Sequence, residues 1–484
     1  NTSGGDPAVV LARVLSIVRR FGLARNTLAL HWYEWDTLGY ALGSNYSNCE
    51  SEVTCGFDTH YPDYFPPRAN FNASLAVLQA AGVRVAPYIN GRIFDKGTTA
   101  WTAHGGSAEH AAAKQAAPSL GTPSLSTYEE QYGSKAKFAV MCPATAFWQD
   151  TIAGVVEELI MQYKLDGVYI DQIAAAGPRP CWDPTHNHSL GGGAHWVQGY
   201  GDMLAKVKMR AATPHVILTE SNSEPFMGGV NLFLTLVGFA RGDPPSLPPT
   251  GSLRTIVPAF QAVYGGYVLP VGAEFFQEDL VPDPDVFAAK IAVQYIFGAQ
   301  LGWFSLGGRD NQVPPMGIYD LLMSPSVDTE IAYLRTLSRA KQLAADWFNF
   351  GRAMRPVPLS VNQTGSISRR PLHPRSSRDL EHVGVAFGAV MSSTWLAADS
   401  QSLLVTITTV KRATPASVHA TIDVREYGFP TVSPNDRFDV FGMDVGDRSA
   451  GPWRKLGTFS AATVTIRSTL GVRAVVLLKI AMAV

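Results

Sequence analysis

The chain has 484 residues, of which 46% are apolar and only 16% are charged. Globular proteins usually carry about 25% charged residues, so this composition indicates a large, well-buried protein with a weakly charged surface. The formal net charge of −1 argues against the basic face that nucleic-acid binding requires, and we expect no nucleic-acid partner.

Short apolar runs alternate with helical patterns from about residue 8 to 340, which favours a parallel sheet with crossover helices. The eight predicted strands are Thr27 to Trp35, Val83 to Ile89, Lys137 to Cys142, Gly167 to Gln172, His215 to Thr219, Asn231 to Val237, Ile256 to Tyr264 and Leu301 to Leu306. The predicted helices between them include Ser74 to Ala81, Ala146 to Tyr163, Trp196 to Ala212 and Asp285 to Gln300. Eight strands with helical returns predict a (β/α)8 TIM barrel, which we assign to residues 1–348.

The pattern changes after a helical stretch from Thr329 to Trp347. Alternating, β-branched runs follow, notably Leu403 to Val410, Ser417 to Val424, Ala462 to Arg467 and Val472 to Ile480. Polar turns separate these runs, which predicts an all-β sandwich in residues 349–484. The last run is too short and too charged to span a membrane. The predicted fold class is therefore α/β, a TIM barrel followed by a C-terminal all-β sandwich.

Two neighbouring predicted strands each end on an acidic residue. Asp171 ends the fourth strand and Glu220 directly follows the fifth, whereas Asp166 precedes the fourth strand at the opposite end. Active sites of such barrels lie at the C-terminal strand ends, and adjacent strands are about 5 Å apart, close to the 5–5.5 Å of a retaining glycosidase pair. Glu224 and Glu274 are alternative acids, but Glu220 is preferred because it lies at the strand tip.

The segment 166–172, with the sequence DGVYIDQ, resembles the nucleophile strand of retaining α-glycosidases related to the α-amylase superfamily and the endo-α-N-acetylgalactosaminidases. The resemblance covers roughly residues 25–310 as a pattern, and the chain is also similar to uncharacterised barrel proteins related to these hydrolases. It implies that Asp171 is the nucleophile and Glu220 the acid/base. Tyr169 stands where amylases often carry an arginine, two residues before the nucleophile.

Other strand tips carry side chains suited to sugar, since pyranose rings stack on aromatic rings and their hydroxyls need polar partners. The candidate substrate-binding residues are His31, Trp32, Glu34, Asp36, Tyr88, Asn90, Arg92, Gln172, Asn222, Glu224, Arg309 and Asp310. For the aromatic members, packing inside the barrel is an equally good interpretation.

Cysteines and glycosylation sequons indicate a secreted or lumenal glycoprotein. Cys49 and Cys55 flank a short loop, and Cys142 and Cys181 follow two successive predicted strands, so two disulfides are expected, although four cysteines allow three connectivities. The candidate N-glycosylation sites are Asn45, Asn72, Asn187 and Asn362.

The loop 177–196 holds Asp183 and three histidines, His186, His188 and His195. This composition suggests zinc, but the H-x-H spacing is common, and a glycan on Asn187 would lie between two of the ligands. We therefore predict no metal and no cofactor. We interpret the loop as a disulfide-tethered lid whose histidines contact sugar hydroxyls.

The predicted function is that of a secreted retaining glycoside hydrolase acting on α-linked sugars of a glycan or polysaccharide by double displacement. The alternative is a catalytically inactive barrel that serves as a structural or carbohydrate-binding glycoprotein. Either one would have a carbohydrate partner, N-linked glycans and no membrane span.

Overall fold

The computed structural model describes residues 6–36, 60–103, 106–116, 124–131, 136–234, 258–272, 275, 280, 284–304, 306, 318–361, 389–411, 415–429, 435–460 and 462–483. The chain forms two compact units. Unit 1 comprises Asn1–Arg19, Ala24–Leu234 and Ser305–Tyr319, and unit 2 comprises Arg20–Leu23, Thr235–Phe304 and Asp320–Val484. The predicted domain boundary after residue 348 falls inside unit 2 and stays a prediction.

The helices predicted at 74–81, 146–163, 196–212 and 285–300 all form, within a few residues of these bounds. The described helices are α1 (Pro7–Phe21), α2 (Phe71–Ala80), α3 (Thr99–Ala103), α4 (Ser107–His110), α5 (Ala146–Met161), α6 (His195–Arg210), α7 (Ala259–Tyr264), α8 (Pro284–Ile296), α9 (Tyr319–Met323), α10 (Asp328–Leu343) and α11 (Ala345–Phe350). Short 3-10 turns lie at Glu224–Phe226, Pro325–Val327 and Val424–Tyr427. In α5 the buried Trp148, Ile152 and Val156 recur every fourth residue, so one face of the helix is apolar. None of the helices in the described ranges is both long and apolar enough to cross a bilayer.

Unit 1 is built on parallel strands. Its strands are β1 (Leu28–Trp32), β2 (Val83–Asn90), β3 (Ile93–Asp95), β4 (Lys114–Ala116), β5 (Leu125–Thr127), β6 (Glu129–Gln131), β7 (Lys137–Val140), β8 (Gly167–Asp171), β9 (Val216–Glu220) and β10 (Leu232–Leu234). Five of them lie side by side in the order β1-β2-β8-β9-β10, and each of the four neighbouring pairs is parallel. The prediction of an α/β arrangement with a parallel sheet is confirmed.

The third predicted strand does not join this sheet. Within residues 137–142, β7 forms, but it pairs antiparallel with β3 and β6 in a separate sheet. Strand β2 instead pairs directly with β8, from Tyr88 beside Tyr169 to Asn90 beside Asp171. The assignment of residues 137–142 as the third barrel strand was therefore wrong. A short apolar run has the same pattern in parallel and antiparallel sheets, so the sequence does not distinguish them. Asp171 therefore ends the third strand in spatial order and Glu220 the fourth.

Unit 2 contains two antiparallel sheets. Its strands are β11 (Leu269–Val271), β12 (Arg352–Met354), β13 (Leu359–Val361), β14 (Val390–Leu396), β15 (Ser402–Thr409), β16 (Ala416–Asp423), β17 (Phe438–Val445), β18 (Arg454–Phe459), β19 (Thr463–Leu470) and β20 (Val475–Met482). The larger sheet has the order β12-β14-β15-β20-β17-β18 and the smaller one β13-β16-β19. Side chains from both sheets, including Leu403, Ile422 and Ile466, form one buried apolar cluster.

Strand β15 shows why this part of the sequence is so rich in β-branched residues. Its whole length is buried. Val405 and Ile407 contribute to the apolar cluster between the two sheets, whereas Thr406 and Thr408 bond tyrosines of the helices on the opposite side. Alternate residues of a strand point to opposite faces, so a strand covered on both faces has no polar-out pattern.

Two strand predictions for unit 2 differ from the structure. The seventh predicted strand, Ile256 to Tyr264, is described from Pro258 onward, and there it forms the helix α7. The five residues FQAVY suit either element, and Pro258 at the helix start favours the helix. The segment from residue 301 forms no continuous strand in its described part; isolated parallel bridges join Val271 to Gln300 and Phe275 to Phe304.

Candidate active site

Two pairs of neighbouring parallel strands in unit 1 are in register at their ends. Asn90 pairs with Asp171, and Leu234 pairs with Glu220. Strands β8 and β9 pair with a constant offset from Gly167 beside Val216 to Tyr169 beside Leu218. Continued by two residues beyond the last paired position, this offset would set Asp171 beside Glu220. Neighbouring strands are about 4.8 Å apart and residues in register point to the same face, so we expect both carboxyl groups at the same edge of the sheet.

The backbone turns sharply after each of these acids. Gln172 and Ser221, the residues that follow Asp171 and Glu220, both have left-handed conformations, with φ of 64° and 63°. Non-glycine residues adopt this region at a cost, and such residues are concentrated at functional sites. Both strands therefore end abruptly at the acid, which leaves each carboxyl group partly exposed at the strand tip.

Two tyrosines orient Asp171. The hydroxyl of Tyr88 donates a hydrogen bond to Oδ2 of Asp171 at 2.8 Å. The hydroxyl of Tyr169, on the same strand and face as Asp171, also hydrogen-bonds its carboxylate. Burial raises the pKa of Tyr169 well above its usual value, and the charges of Asp171 and Glu220 raise it further. The phenol therefore stays protonated at neutral pH, and the charges of both acids act on it.

Asn90 organises the turn beneath this pair. Its side-chain oxygen accepts hydrogen bonds from the backbone N–H groups of Arg92 and Ile93 at 2.9 and 3.1 Å. Its Nδ2 donates to the hydroxyl of Tyr88 at 3.3 Å. Gly91 has no room for a side chain, because a Cβ there would lie 2.6 Å from Ile170. Asn90, predicted to bind substrate, is fully buried and lies behind the tyrosine that contacts Asp171.

An aromatic layer lies under the strand tips. The ring of His31 is 4.2 Å from that of Tyr169 and 4.4 Å from that of Tyr33, and Tyr33 stacks on Tyr88 at 4.5 Å. Burial holds the pKa of His31 well below its usual value, so the imidazole is neutral near pH 7. Trp32 belongs to the opposite face of β1 and packs at 4.8 Å on Phe71 of α2.

Two further predicted substrate-binding residues, Glu34 and Asp36, follow β1 and contact Arg68. Its guanidinium lies 3.9 Å from Glu34 and donates to the backbone oxygen of Asp36 at 3.1 Å. Both acids are buried. Beyond β9, Asn222 and Glu224 are exposed. Arg309 and Asp310 lie outside the described residues.

Arg92 fastens the loop that follows Asp171. It is 1% exposed, forms a 2.8 Å ion pair with Glu130, and donates to the backbone oxygen of Gly177 at 3.0 Å. Arg179, in the same loop, contacts the same carboxylate at 3.0 Å, and Trp196 stacks on Arg92 at 5.2 Å. Arg92, which was predicted to bind substrate, therefore links the loop 172–194 to the end of β2 and to β6.

The predicted disulfide between Cys142 and Cys181 is not formed. Both residues are buried free thiols. They do meet, as the sequence predicted, but His186 and His188 join them. His195 stacks on His188 at 4.1 Å and is therefore adjacent to this group. Cys49, Cys55 and the sequons at Asn45 and Asn362 lie outside the described residues, whereas Asn72 and Asn187 are exposed.

A shallow groove in unit 2 is chemically different from the strand tips of unit 1. It has a volume of about 540 Å³ and lies over β13, β16 and β19. Its lining includes Val361, His419 and Arg467, with serine and threonine side chains, and no carboxylate. The strand tips of unit 1 carry two acids, so they remain the candidate site for acid/base chemistry.

Comparison with known proteins finds similarity to glycoside hydrolases. Residues 51–275 match a family model described as "Domain of unknown function (DUF6259)". The chain is 37% identical over 415 residues to "Putative glycoside hydrolase 22789" of Monosiga brevicollis, covering 84% of this chain and 32% of that protein. It is 28% identical over 364 residues to a "Putative glycoside hydrolase" of Bacteroides thetaiotaomicron, covering 75% and 47%. The predicted resemblance to glycoside hydrolases is confirmed, and the chain spans about a third and about half of these two relatives.

A solved structure shows the same fold. The noncanonic maltogenic α-amylase AmyB of Thermotoga neapolitana aligns with a TM-score of 0.50, at 8% identity, over 100% of this chain and 98% of that one. At this identity the likeness concerns the fold alone.

Proposed function

We propose that this protein is a retaining glycoside hydrolase that cleaves α-linked sugars, with Asp171 as nucleophile and Glu220 as acid/base. The observation that carries the proposal is that the two acids end neighbouring parallel strands. Adjacent strands hold carboxyl groups close to the 5–5.5 Å of a retaining pair, whereas an inverting pair needs about 6.5–9.5 Å to admit a water molecule.

The surroundings of Asp171 suit a nucleophile. In the first step its carboxylate bonds to the anomeric carbon, the glycosidic C–O bond breaks, and Glu220 gives its proton to the leaving oxygen. In the second step Glu220 takes a proton from water, whose oxygen displaces Asp171 from the sugar. The hydroxyls of Tyr88 and Tyr169 fix the carboxylate in one orientation, so less ordering is required when the bond forms.

The finer features belong to the same proposal. The parallel strands of unit 1 and the fold-level likeness to a solved α-amylase support a TIM barrel. The resemblance of the segment 166–172 to the nucleophile strand of retaining α-glycosidases supports an α-linked substrate. The two antiparallel sheets of unit 2, which share one apolar cluster, support a β-sandwich. The exposed sequon residues Asn72 and Asn187 support secretion and N-glycosylation.

A panel of aryl α- and β-glycosides tests the reaction. We expect turnover of an α-glycoside, with the first product detected by NMR in the α configuration. Asp171→Asn should lower kcat by about 10³-fold or more, as should Glu220→Gln with a poor leaving group. Asp166→Asn is the matched control, because Asp166 lies at the other end of β8, where it accepts the N–H of Val85 and pairs with Arg84.

Azide separates the two roles. With azide, Asp171→Ala should form a β-glycosyl azide and Glu220→Ala an α-glycosyl azide, since only the former lacks the covalent step. Activity that survives Asp171→Asn would refute the nucleophile assignment. Loss of activity in Glu224→Gln rather than Glu220→Gln would move the acid/base role. Sugar binding without turnover of any glycoside would favour the inactive barrel.

A further inference from the structure

We infer that unit 1 holds a structural zinc ion in a buried site of two cysteines and two histidines. The four residues are Cys142, Cys181, His186 and His188. Their ligand atoms all lie within 4.8 Å of one another. Cys142 follows β7, and the other three lie in the loop 172–194, so the site would join two segments that are distant in sequence.

The geometry matches tetrahedral zinc. Zn–S bonds of about 2.3 Å and Zn–N bonds of about 2.0–2.1 Å place tetrahedral ligand atoms about 3.5 Å apart. Sγ of Cys181 lies 3.3 Å from Nδ1 of His186, and Sγ of Cys142 lies 3.4 Å from Nε2 of His188. Each cysteine is thus paired with one histidine at the separation expected for two ligands of the same ion.

The outer contacts of the ligands point the same way. Metal-bound histidines usually hydrogen-bond a carbonyl or carboxylate through the other ring nitrogen, which fixes the tautomer. Nε2 of His186 contacts the backbone oxygen of His110 and lies 3.7 Å from the carboxylate of Asp183. Nδ1 of His188 contacts the backbone oxygen of Ser189 at 2.9 Å. In both rings the nitrogen that faces a sulfur is therefore the one left for a metal.

Charge and burial also favour zinc. Two thiolates and two neutral imidazoles balance Zn²⁺, and binding releases the two thiol protons, so the buried site carries no net charge. The backbone N–H of Lys114 points at the sulfur of Cys181 at 3.4 Å, as expected for a thiolate acceptor. Four protein ligands leave no open position for substrate, which makes the ion structural.

The structure also removes the objection raised by the sequence. Asn187 lies between the two histidines in the chain, but it has a left-handed conformation, with φ of 57°, and its side chain is exposed. A glycan on Asn187 would extend into solvent, away from the buried sulfur atoms. A zinc site and a modified sequon are therefore compatible.

The test measures metal in the folded wild-type protein, purified without chelators from both a reducing and an oxidising compartment. We expect about one zinc per chain by elemental analysis. Cobalt substituted for zinc should give the visible absorption of a tetrahedral thiolate site. A thiol-modifying reagent should release the metal in step with the modification of two cysteines.

Variants assign the ligands. His186→Ala and His188→Ala should each lower zinc content or raise the rate of zinc loss to a chelator by at least tenfold. The control is His215→Ala, since His215 is partly exposed and contacts only the nearby backbone oxygen of Thr213 in the described hydrogen bonds. Where a variant does not fold, the wild-type cobalt spectrum and zinc release decide the question.

A disulfide is the competing chemistry. If wild-type protein from both compartments contains no zinc, or if Cys142 and Cys181 are found joined in a disulfide that the histidine variants do not affect, the inference is wrong. Retention of a full equivalent of zinc in both histidine variants would also overturn it. None of these measurements requires glycosidase activity, so they stand or fall independently of the proposed function.

Discussion

The two units use buried polar side chains in opposite ways. In unit 2 they connect helices to the larger antiparallel sheet: Tyr295 of α8 bonds Thr406, and Tyr333 of α10 bonds Thr408, each at 2.7 Å. In unit 1 the tyrosine hydroxyls are at the end of a parallel sheet, where Tyr88 donates to the partly exposed Asp171. The same phenol group is a structural link in one unit and orients the proposed nucleophile in the other.

The difference shows how to recognise a functional polar group. A hydroxyl that bonds a buried threonine completes a core, because an unmatched buried polar atom is costly. A hydroxyl that bonds a partly exposed carboxylate at a strand tip adds no stability to the core. An apolar residue could replace it there without loss of core packing. We expect the residues of unit 2 to affect stability and those at the tips of unit 1 to affect activity, and four substitutions test this division.

The largest effect is expected from Arg473→Met in unit 2. Arg473 forms a 2.7 Å ion pair with Glu330, which is fully buried, and its removal leaves that carboxylate without this cation in the core. The free energy of unfolding, measured with denaturant, should fall by about 3–5 kcal/mol. Glu330→Leu added to Arg473→Met should recover most of the loss. A change below about 1 kcal/mol would mean that the pair is not a structural link.

The next effect depends on pH and concerns Lys341 of α10. Burial lowers its pKa from 10.5 to about 7, while its ammonium donates to the backbone oxygen of Gly298 at 2.7 Å. Because the unfolded chain binds this proton up to about pH 10.5, wild-type stability should rise between pH 7 and 10.5. Lys341→Met should lack this rise and be more stable near pH 7 by about 3 kcal/mol.

Denaturant unfolding at several pH values checks the prediction, with the difference between the two proteins as the measured quantity. The advantage of Lys341→Met should shrink as the pH increases. An advantage that is constant with pH would show that the lysine keeps its ordinary pKa in the folded protein.

The positions of Asp171 and Glu220 at strand ends were predicted better than the sheet that carries them. Asp171 and Glu220 were found because each interrupts an apolar run, and that local signal does not depend on counting strands. The count itself failed at 137–142, where β7 pairs antiparallel, and at Pro258, where a helix begins. Pairing direction depends on which strands meet in space, and a short apolar run does not encode it.

The supporting residues were identified without their roles. Tyr88 and Asn90 were selected as strand-tip polar residues, but only the fold shows that one holds Asp171 and the other holds the turn beneath it. The group around Cys142 was missed because Cys142 lies 39 residues before Cys181, the first of the other three members. Only the path of β7 brings that cysteine to the histidines.

A smaller effect, on rate, is expected from Tyr88→Phe. The variant loses one hydrogen bond to the Asp171 carboxylate, and bonds to charged groups contribute about 1.5–3 kcal/mol. We expect kcat on an aryl glycoside to fall by about 10- to 100-fold with little change in KM, because Tyr88 acts through Asp171. The free energy of unfolding should change by less than about 1 kcal/mol.

The smallest effect is expected from Tyr295→Phe, the same chemical change made in unit 2. It removes the hydrogen bond to Thr406 and should lower the free energy of unfolding by about 1 kcal/mol, with kcat unchanged. The two tyrosine variants together form a crossed comparison, since each should affect only one of the two measurements. If Tyr88→Phe instead lowered stability and left kcat unchanged, the tyrosine beside Asp171 would be a core link of the kind seen in unit 2. The argument that the strand tips form a preorganised active site would then be much weaker.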